Sequence, residues 1–188
     1  MNWNNKKVLV TGGASFIGSH LTEQLVQLGA KVRVAENFSS GERKHLELID
    51  SEILEGDLLN PEFCNQATQG MEIIFHLAAD HGGRGYIDAH QVECSTNMIL
   101  DGQVFRSAHQ SGVEKIIFAS SGCVYPTSAQ MDVHKEVFLY ENMVKPPYEA
   151  DDLYGWAKLM AELTLKAYYQ QHGLQTASCR YFTVYGPR

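Results

Sequence analysis

A glycine-rich turn between a β-strand and an α-helix is the feature that most restricts how this chain can fold. Residues 8–21 read VLVTGGASFIGSHL, an apolar run followed by glycines and then by apolar residues at helical spacing. The glycines permit a tight turn and close packing of helix on strand, and the free amide groups at the helix start would then face a pyrophosphate. Glycines alone are also explained by an ordinary turn, but the strand and helix around them favour a dinucleotide site. Its expected residues are Gly12, Gly13, Ser15, Phe16, Ile17 and Gly18.

Short apolar runs rich in β-branched residues recur along the chain and alternate with longer amphipathic segments. The strand candidates are Lys7–Thr11, Lys31–Ala35, Ser51–Leu54, Ile73–Leu77, Lys115–Ser120 and Gln175–Tyr181. The helix candidates are Ile17–Leu28, Glu42–Leu48, Pro61–Gln69, Glu93–Gln110 and Asp152–Gln171. Strands without polar alternation, each followed by a helix, imply a parallel sheet covered on both faces. We therefore expect an α/β fold, a doubly wound parallel sheet of the Rossmann type, with one domain over residues 1–188.

Composition and charge exclude several classes of protein. Hydrophobic residues make up 44% of the chain, but no apolar run approaches the roughly 20 residues that a membrane span needs. The net charge of −7 argues against a nucleic-acid surface built on phosphate contacts. The four cysteines lack the paired spacing of a zinc site or a redox dithiol, so we expect reduced thiols and no metal site. The start of the chain has no long apolar stretch typical of a secretory signal, so we expect a cytoplasmic protein.

The residue that ends the second strand points to the choice of cofactor. Glu36 lies 24 residues after the first glycine of the turn, near the spacing at which an acidic side chain receives the ribose hydroxyls of an adenine dinucleotide. A carboxylate there repels the extra phosphate of NADP, so we expect NAD, although the nearby Arg33, Arg43 and Lys44 weaken that inference. The alternative is that Glu36 is a solvated charge at a strand end. After the third strand, Asp57 could flank the adenine or cap a turn.

The segment YGWAK carries a candidate pair of catalytic side chains. Tyr154 and Lys158 are four residues apart and are therefore neighbours on one helix face. A nearby ammonium favours tyrosinate, so we expect Lys158 to lower the pKa of Tyr154 from about 10 towards neutrality. Such a phenol can accept a proton from a sugar alcohol as hydride leaves for a nicotinamide, with Ser121 hydrogen-bonded to the same hydroxyl.

The segment SSGCVYP, residues 120–126, places a hydroxyl and a thiol directly after the fifth strand. In extended backbone, residues two apart share one face, so we expect Ser121 and Cys123 to point the same way. They either fill one patch of core or serve one pocket. The dinucleotide turn and the Tyr154–Lys158 pair favour the pocket. Residues 121–150 fit neither period, and a loop that long is often functional.

The whole chain resembles the extended short-chain dehydrogenase/reductases, also called the NAD-dependent epimerases and dehydratases of nucleotide sugars. The motifs that carry the resemblance occur in the family's order: TGGASFIG, GDLL, FHLAA, SSGCVYP, YGWAK and RYFTVYGP. The resemblance implies that Ser121, Tyr154 and Lys158 form the catalytic triad. It also implies that Asn97 holds the neighbouring backbone and the cofactor. The further cofactor contacts that it implies are Glu36, Asn37, Asp57, Leu58, Leu77, Ala78, Ala79, Ser120, Tyr181 and Phe182.

Within the family, AADHGGRGYI and SSGCVYP are most similar to the GDP-mannose 3,5-epimerases and somewhat similar to the GDP-fucose synthases. The resemblance implies an epimerase that oxidises C4 of a nucleotide sugar transiently, while the Cys123 thiolate removes a proton from a neighbouring carbon. Gly82, Gly83, Ser121 and Thr183 would face the sugar, although the two glycines could also be plain turn residues. The alternatives are a related 4-epimerase, dehydratase, decarboxylase or reductase in which Cys123 only packs, and a truncated NAD-binding module without turnover.

Three features bear on how far the resemblance extends. Ser15 stands where the family has its middle glycine, and its hydroxymethyl group could crowd the pyrophosphate or donate to it. Thr183 replaces an asparagine that touches substrate in relatives. The chain ends at Arg188, whereas relatives continue into a lobe that supplies most of the sugar pocket, so it is either a fragment or a naturally short chain. Relatives also dimerise through a four-helix bundle, so we expect a homodimer formed by Glu93–Gln110 and Asp152–Gln171.

Overall fold

Six parallel strands form one sheet in the computed structural model, which describes residues 2–131, 134 and 136–188. The strands are β1 (Lys7–Thr11), β2 (Lys31–Glu36), β3 (Glu52–Glu55), β4 (Ile73–His76), β5 (Lys115–Ser121) and β6 (Gln175–Tyr181). Their spatial order is β3-β2-β1-β4-β5-β6, and every neighbouring pair is parallel. The prediction of a doubly wound parallel sheet is therefore confirmed.

Helices cover the sheet and connect its strands. They are α1 (Phe16–Gln27), α2 (Pro61–Thr68), α3 (Arg84–Ala89), α4 (Gln91–Ser95), α5 (Asn97–Gln110) and α6 (Asp152–His172). Local chemistry sets their ends: Asn60 Oδ1 accepts hydrogen bonds from the amides of Glu62 and Phe63 to begin α2, and Gly173, in the left-handed conformation, ends α6. Among the described residues, no helix combines the length and the apolar character needed to cross a membrane.

Two of the predicted helices were wrong in their extent. The segment Glu42–Leu48 contains only the 3₁₀ turn Arg43–His45, because Leu46 is its sole buried anchor and Leu48 is fully exposed. The segment Glu93–Gln110 is divided into α4 and α5 at Thr96. Asn97, the first residue of α5, is buried, and its side-chain amide exchanges two hydrogen bonds of 2.8 Å with the backbone of Asp80. This tie sets the position of α5 against the chain that follows β4.

Alternate side chains of the strands pack into two cores, one on each face of the sheet. Val8, Val10 and Val34 face α1, whose Leu25 packs among them. Leu9, Ile74 and Phe118 lie in the other core, together with Phe105 of α5 and Leu165 of α6. Burying a side chain of this size stabilises a fold by about 1.5–3 kcal/mol, so both faces hold the carboxyl ends of the strands in place.

The described residues of the segment 121–150 lie at those carboxyl ends and pack on α6. Among them are 3₁₀ turns at Gly122–Val124, Thr127–Gln130 and Glu141–Met143. Val124, Tyr125 and Ala150 are buried in a small cluster with Leu159 of α6. These residues therefore contact α6 through packed side chains.

Candidate active site

The glycine turn lies at the switch point of the sheet, where β1 and β4 are neighbours and their following segments diverge. Gly12 has a φ of +70°, and a Cβ on it would lie 2.9 Å from the amide nitrogen of Ala78. A Cβ on Gly18 would lie 2.1 Å from the carbonyl oxygen of Gly12, and one on Gly13 would lie 2.7 Å from Val34 Cγ1. Each glycine is therefore needed for close packing of the turn between strands and helix.

Ser15 is the N-cap of α1, and its hydroxyl is engaged within the turn. Ser15 Oγ donates to the carbonyl oxygen of Gly12 at 2.6 Å and accepts from the amide of Gly18 at 3.3 Å. The hydroxyl proton is thus donated within the turn. Of the two expected roles, donation to a pyrophosphate therefore differs from what the structure shows. The first-turn amides of Phe16 and Ile17 have no intrahelical acceptor and are therefore available to an anion.

Glu36 is buried beside the turn, so the interpretation as a solvated strand-end charge was wrong. Only 7% of the residue is exposed, and its carboxylate accepts hydrogen bonds from the amides of Ala14, Asn37 and Phe38 at 3.1–3.2 Å. One carboxylate therefore ties the glycine turn to the end of β2. Asp57 does cap a turn, because its Oδ1 accepts from the amide of Leu59 at 2.9 Å.

The cations near Glu36 are each bound to other carboxylates. Arg33 Nε lies 2.8 Å from Glu52, and its guanidinium also donates to carbonyl groups at the end of α2. Arg43 pairs with Glu55 at 2.5 Å, and Lys44 pairs with Glu42 at 2.5 Å. The side chains that could attract an extra ribose phosphate are therefore already paired.

Two cavities meet at the switch point and form one cleft. The smaller, of about 160 Å³, includes Gly12, Ser15, Glu36, Asn37, Asp57, Leu58, Leu77, Ala78 and Ala79 in its lining. The larger, of about 580 Å³, includes Ser15, Phe16, Ile17, Leu77, Ala79, Gly82, Gly83, Ser120, Ser121, Cys123, Tyr154, Lys158, Tyr181, Phe182 and Thr183. Ser15, Leu77, Ala79 and His81 line both cavities. Gly13, Gly18 and Asn97 are not part of either lining. The two glycines allow close packing of the turn, and Asn97 hydrogen-bonds to the backbone of Asp80, which lines the smaller cavity.

Ser121 and Cys123 line the same cavity, but for a different reason from the one predicted. The strand ends at Ser121, and Cys123 lies in the 3₁₀ turn Gly122–Val124, so alternation along an extended strand does not apply. Ser121 Oγ caps this turn by accepting from the amide of Cys123 at 3.1 Å. The carbonyl oxygen of Cys123 accepts from the amide of Asp151 at 2.9 Å, at the start of α6. The cap and this bond hold the thiol beside α6.

Tyr154 and Lys158 share one face of α6, but the expected acidic tyrosine is not found. Burial raises the pKa of Tyr154, and the Cys123 thiolate adds to the effect, while Ser121 opposes it. Lys158 is only 1% exposed, and its Nζ lies 4.6 Å from the ring centroid of Phe118 and 5.8 Å from that of Tyr154. Burial lowers the pKa of Lys158. The prediction was wrong because desolvation disfavours the charged form of both groups.

Sequence reasoning missed three residues that shape the site. Gly155 allows α6 to meet the Cys123 turn, because a Cβ there would lie 2.5 Å from the Cys123 carbonyl oxygen. Arg84 forms ion pairs with Asp151 and Asp152 and so joins α3 to the start of α6. His81 reaches both cavities, and desolvation, followed by the charge of Lys158, lowers its pKa.

The two glycines assigned to the sugar differ in their surroundings. A Cβ on Gly82 would lie 2.6 Å from Tyr86 Cβ, so this glycine makes room for α3, which was not predicted. Gly83 is the N-cap of α3, and a Cβ on it would meet nothing within 4 Å. The packing of Tyr86 thus explains why a glycine is present at position 82. At Gly83 the space beside the backbone is open, and this residue lines the larger cavity.

The sequence profile of the NAD dependent epimerase/dehydratase family matches residues 8–188. The chain belongs to this family. It is 32% identical to the GDP-mannose 3,5-epimerase of Arabidopsis thaliana over 97% of this chain and 48% of that protein. It is also 32% identical to a UDP-N-acetyl-alpha-D-glucosaminuronate decarboxylase of Bacillus cytotoxicus, over 97% of this chain and 56% of that protein.

A solved structure from the family shares the fold. The UDP-glucose 4-epimerase of Thermus thermophilus, in complex with NAD, superposes with a TM-score of 0.83 and 30% identity, over 97% of this chain and 57% of that one. The chain spans about half the length of the curated relatives that it matches. The family's epimerases and decarboxylases are thus similar to this chain at comparable identity.

Proposed function

We propose that this protein is an NAD-dependent nucleotide-sugar epimerase that acts through a transient 4-keto sugar, in the manner of the GDP-mannose 3,5-epimerases. The observation that carries the proposal is the placement of Cys123 on one cavity wall with Ser121, Tyr154 and Lys158. A thiol beside a hydroxyl, phenol and ammonium provides a base for carbon as well as the groups for alcohol oxidation. The Arabidopsis relative supports the same choice.

The residues of the cleft fit NAD. Gly12 and Gly18 allow the turn to pack closely between the strands and α1, and the first turn of α1 offers free amides to a pyrophosphate. Glu36 places a carboxylate on the wall of the smaller cavity, where ribose hydroxyls can donate to its remaining lone pairs. The pairing of Arg33, Arg43 and Lys44 with other carboxylates supports NAD over NADP. When bound, NAD supplies the hydride acceptor and a positively charged ring.

The side chains of this chain then have separate tasks. Tyr154 accepts the proton of the C4 hydroxyl, and Ser121 holds the same hydroxyl by a hydrogen bond. Burial raises the pKa of Tyr154, and the ammonium of Lys158, 5.8 Å from the Tyr154 ring centroid, together with the positively charged ring of bound NAD would act against this and favour the phenolate that the transfer requires. Oxidation at C4 makes the protons on the adjacent carbons acidic, and Cys123 removes one of them. Gly83 and Thr183 are proposed to face the sugar, with Gly82 supporting the same wall.

Proton exchange with solvent tests this proposal. The protein, in its full encoded length, is incubated with NAD and GDP-mannose in deuterated water, and the sugar is examined by NMR and mass spectrometry. Deuterium at C3 or C5 supports the proposal. Turnover of nucleotide sugars without carbon exchange in any of them refutes it. The Cys123→Ser variant is expected to lose the exchange while retaining NAD binding, because Cys123 is not part of the smaller cavity, which Gly12 and Glu36 line.

A related enzyme of the same family is the second candidate, because the Bacillus decarboxylase is as similar to this chain as the Arabidopsis epimerase. In a 4-epimerase, decarboxylase or reductase, Cys123 only packs, and Cys123→Ser retains nearly full activity. A non-catalytic NAD-binding module, comprising residues 1–188 as one domain, is the third candidate. Calorimetry that detects NAD binding by this chain but no sugar-nucleotide binding supports it.

We also propose that the protein is a cytoplasmic homodimer. The cysteines described are all free thiols, which is typical of a reducing compartment. Helices α4, α5 and α6 expose the large apolar side chains Val92, Ile99, Leu153, Trp156 and Met160. A second copy placed on this surface would bury them in a bundle whose four long helices are α5 and α6 of each copy, with α4 at its edge. Sedimentation equilibrium should give twice the chain mass, and Met160→Glu should give monomer, whereas a monomeric wild type would contradict the proposal.

A further inference from the structure

A line of buried hydrogen bonds begins at the wall of the cofactor cleft and ends at a carboxylate. Thr11 Oγ1 accepts from the amides of Leu77 and Ala78, both at 3.1 Å. It also lies 2.7 Å from Nδ1 of His76, and Nε2 of His76 lies 2.9 Å from Asp101 Oδ1. Thr11, His76 and Asp101 are at most 2% exposed. The line therefore lies wholly inside the protein.

The donors and acceptors of this line fix the tautomer of His76. A hydroxyl oxygen has two lone pairs, and two backbone amides already use both at Thr11, so its own proton must be donated to Nδ1 of His76. Nδ1 then carries no proton, and Nε2–H donates to Asp101. The imidazole is therefore neutral, and it orients Asp101 without neutralising its charge.

Asp101 consequently needs a counter-charge from elsewhere. Its second oxygen, Oδ2, is buried and has no hydrogen-bond partner among the described residues. A buried carboxylate without a compensating cation is strongly unfavourable. Lys158 provides a cation in the same region: it lies on α6, which packs against α5, and its Nζ lies over Phe118, whose ring is 5.8 Å from that of His76. Burial lowers the pKa of Lys158, and the charge of Asp101 acts against this.

We propose that Asp101, oriented by His76 and Thr11, is a positioning residue that supplies the counter-charge for the buried ammonium of Lys158. Its role in turnover rests on the proposed function, since Lys158 must stay charged to favour the Tyr154 phenolate. Because Thr11 also accepts from the amides of Leu77 and Ala78, the hydrogen bonds tie the wall of the cofactor cleft to Asp101.

The other titratable groups around Lys158 do not replace Asp101. Glu162, one turn further along α6, is bound to Arg180 at 2.7 Å and to Ser120 at 2.5 Å. Asp80 accepts from the Tyr86 hydroxyl at 3.0 Å. The remaining titratable groups facing this region are His81 in the β4–α3 loop, Cys94 on α4, Cys123 after β5 and Tyr154 on α6.

NMR titration of Lys158 tests the proposal directly and without substrate. The protein is labelled with ¹³C and ¹⁵N at the lysine side-chain ends, and the Lys158 signal is assigned by its absence in Lys158→Arg. In Asp101→Asn, which retains an acceptor for His76, the titration midpoint of Lys158 should fall by about one pH unit or more. The matched control Asp50→Asn removes an exposed charge before β3 and should leave the midpoint unchanged. An unchanged midpoint in Asp101→Asn overturns the proposal.

A measurement on the wild type keeps the proposal testable if Asp101→Asn fails to fold. The ¹³C chemical shift of the Asp101 side-chain carboxyl carbon should be that of a carboxylate at pH 7. Its pH titration should also show an inflection at the titration midpoint of Lys158. A protonated Asp101 at pH 7, or no shared inflection, overturns the proposal.

In activity assays, Asp101→Asn should shift the alkaline limb of kcat to lower pH and leave KM within about twofold. A wild type that shows the shared titration but no turnover refutes only the proposed function.

Discussion

Replacing Gly155 by alanine tests whether the packing of α6 on the Cys123 turn sets the catalytic geometry. The added Cβ would lie 2.5 Å from the Cys123 carbonyl oxygen, about 0.9 Å short of the 3.4 Å at which ordinary contact begins. The obstacle is backbone, held by the Asp151 amide at 2.9 Å, so the turn and the helix must separate. A displacement of about 1 Å between reacting groups can reduce a rate about 100-fold.

The expected result is a loss of about 100-fold in kcat with little change in NAD affinity, because Gly155 is not among the residues that line either cavity. Alanine is a better helix former than glycine by about 1 kcal/mol, and this offsets part of the strain in the unfolding free energy. Gly102→Ala on α5 is the matched control, because a Cβ there meets nothing within 4 Å and should leave kcat unchanged. The assays are steady-state kinetics, NAD calorimetry and urea unfolding. A Gly155→Ala enzyme with kcat within about threefold of wild type would refute the reasoning.

The buried groups support three further predictions. Glu36→Gln removes the acceptor of at least one backbone amide and should lower the unfolding free energy by about 1–3 kcal/mol in urea titrations; an unchanged value would contradict the role of Glu36 as a tie. The pKa of His81 is lowered in the folded state, so the unfolded chain binds its proton more readily and stability is lost as pH falls below about 6.5. Between pH 8 and pH 5 the Tm of wild type should therefore fall further than that of His81→Gln, and parallel curves would argue against the shift. Burial raises the pKa of Cys64 and Cys94, so iodoacetamide should label Cys123 and Cys179 first, as peptide mapping can determine; early labelling of Cys64 would be inconsistent with the core.

Patterns along the chain predict most of the fold because they depend on near neighbours. The strand, glycine turn and helix of residues 8–21 form as expected, and the shared face of Tyr154 and Lys158 follows from helical spacing. The helix predicted at Glu42–Leu48 failed for a related reason, since its leucines gave the right local pattern but only Leu46 has a core to enter.

Side-chain environments were harder to predict, because burial depends on elements distant in the chain. Glu36 has the local pattern of an exposed strand end, yet its carboxylate is buried and accepts a hydrogen bond from the amide of Ala14, which is 22 residues earlier in the chain. The Tyr154–Lys158 spacing suggests an acidic phenol, but burial of Tyr154 itself raises its pKa, and burial also lowers the pKa of Lys158.

The amino-acid sequence by itself determined the six strands and their parallel arrangement, the glycine turn and the spacing of Tyr154 and Lys158. These features depend on backbone propensities and periodicities within a few residues. Only the tertiary structure decided that Gly155 meets the Cys123 turn and that Asp101 lies in the same buried region as Lys158. The physical reason is that solvent exclusion and charge compensation depend on which distant segments pack together, and the sheet alone brings those segments into contact.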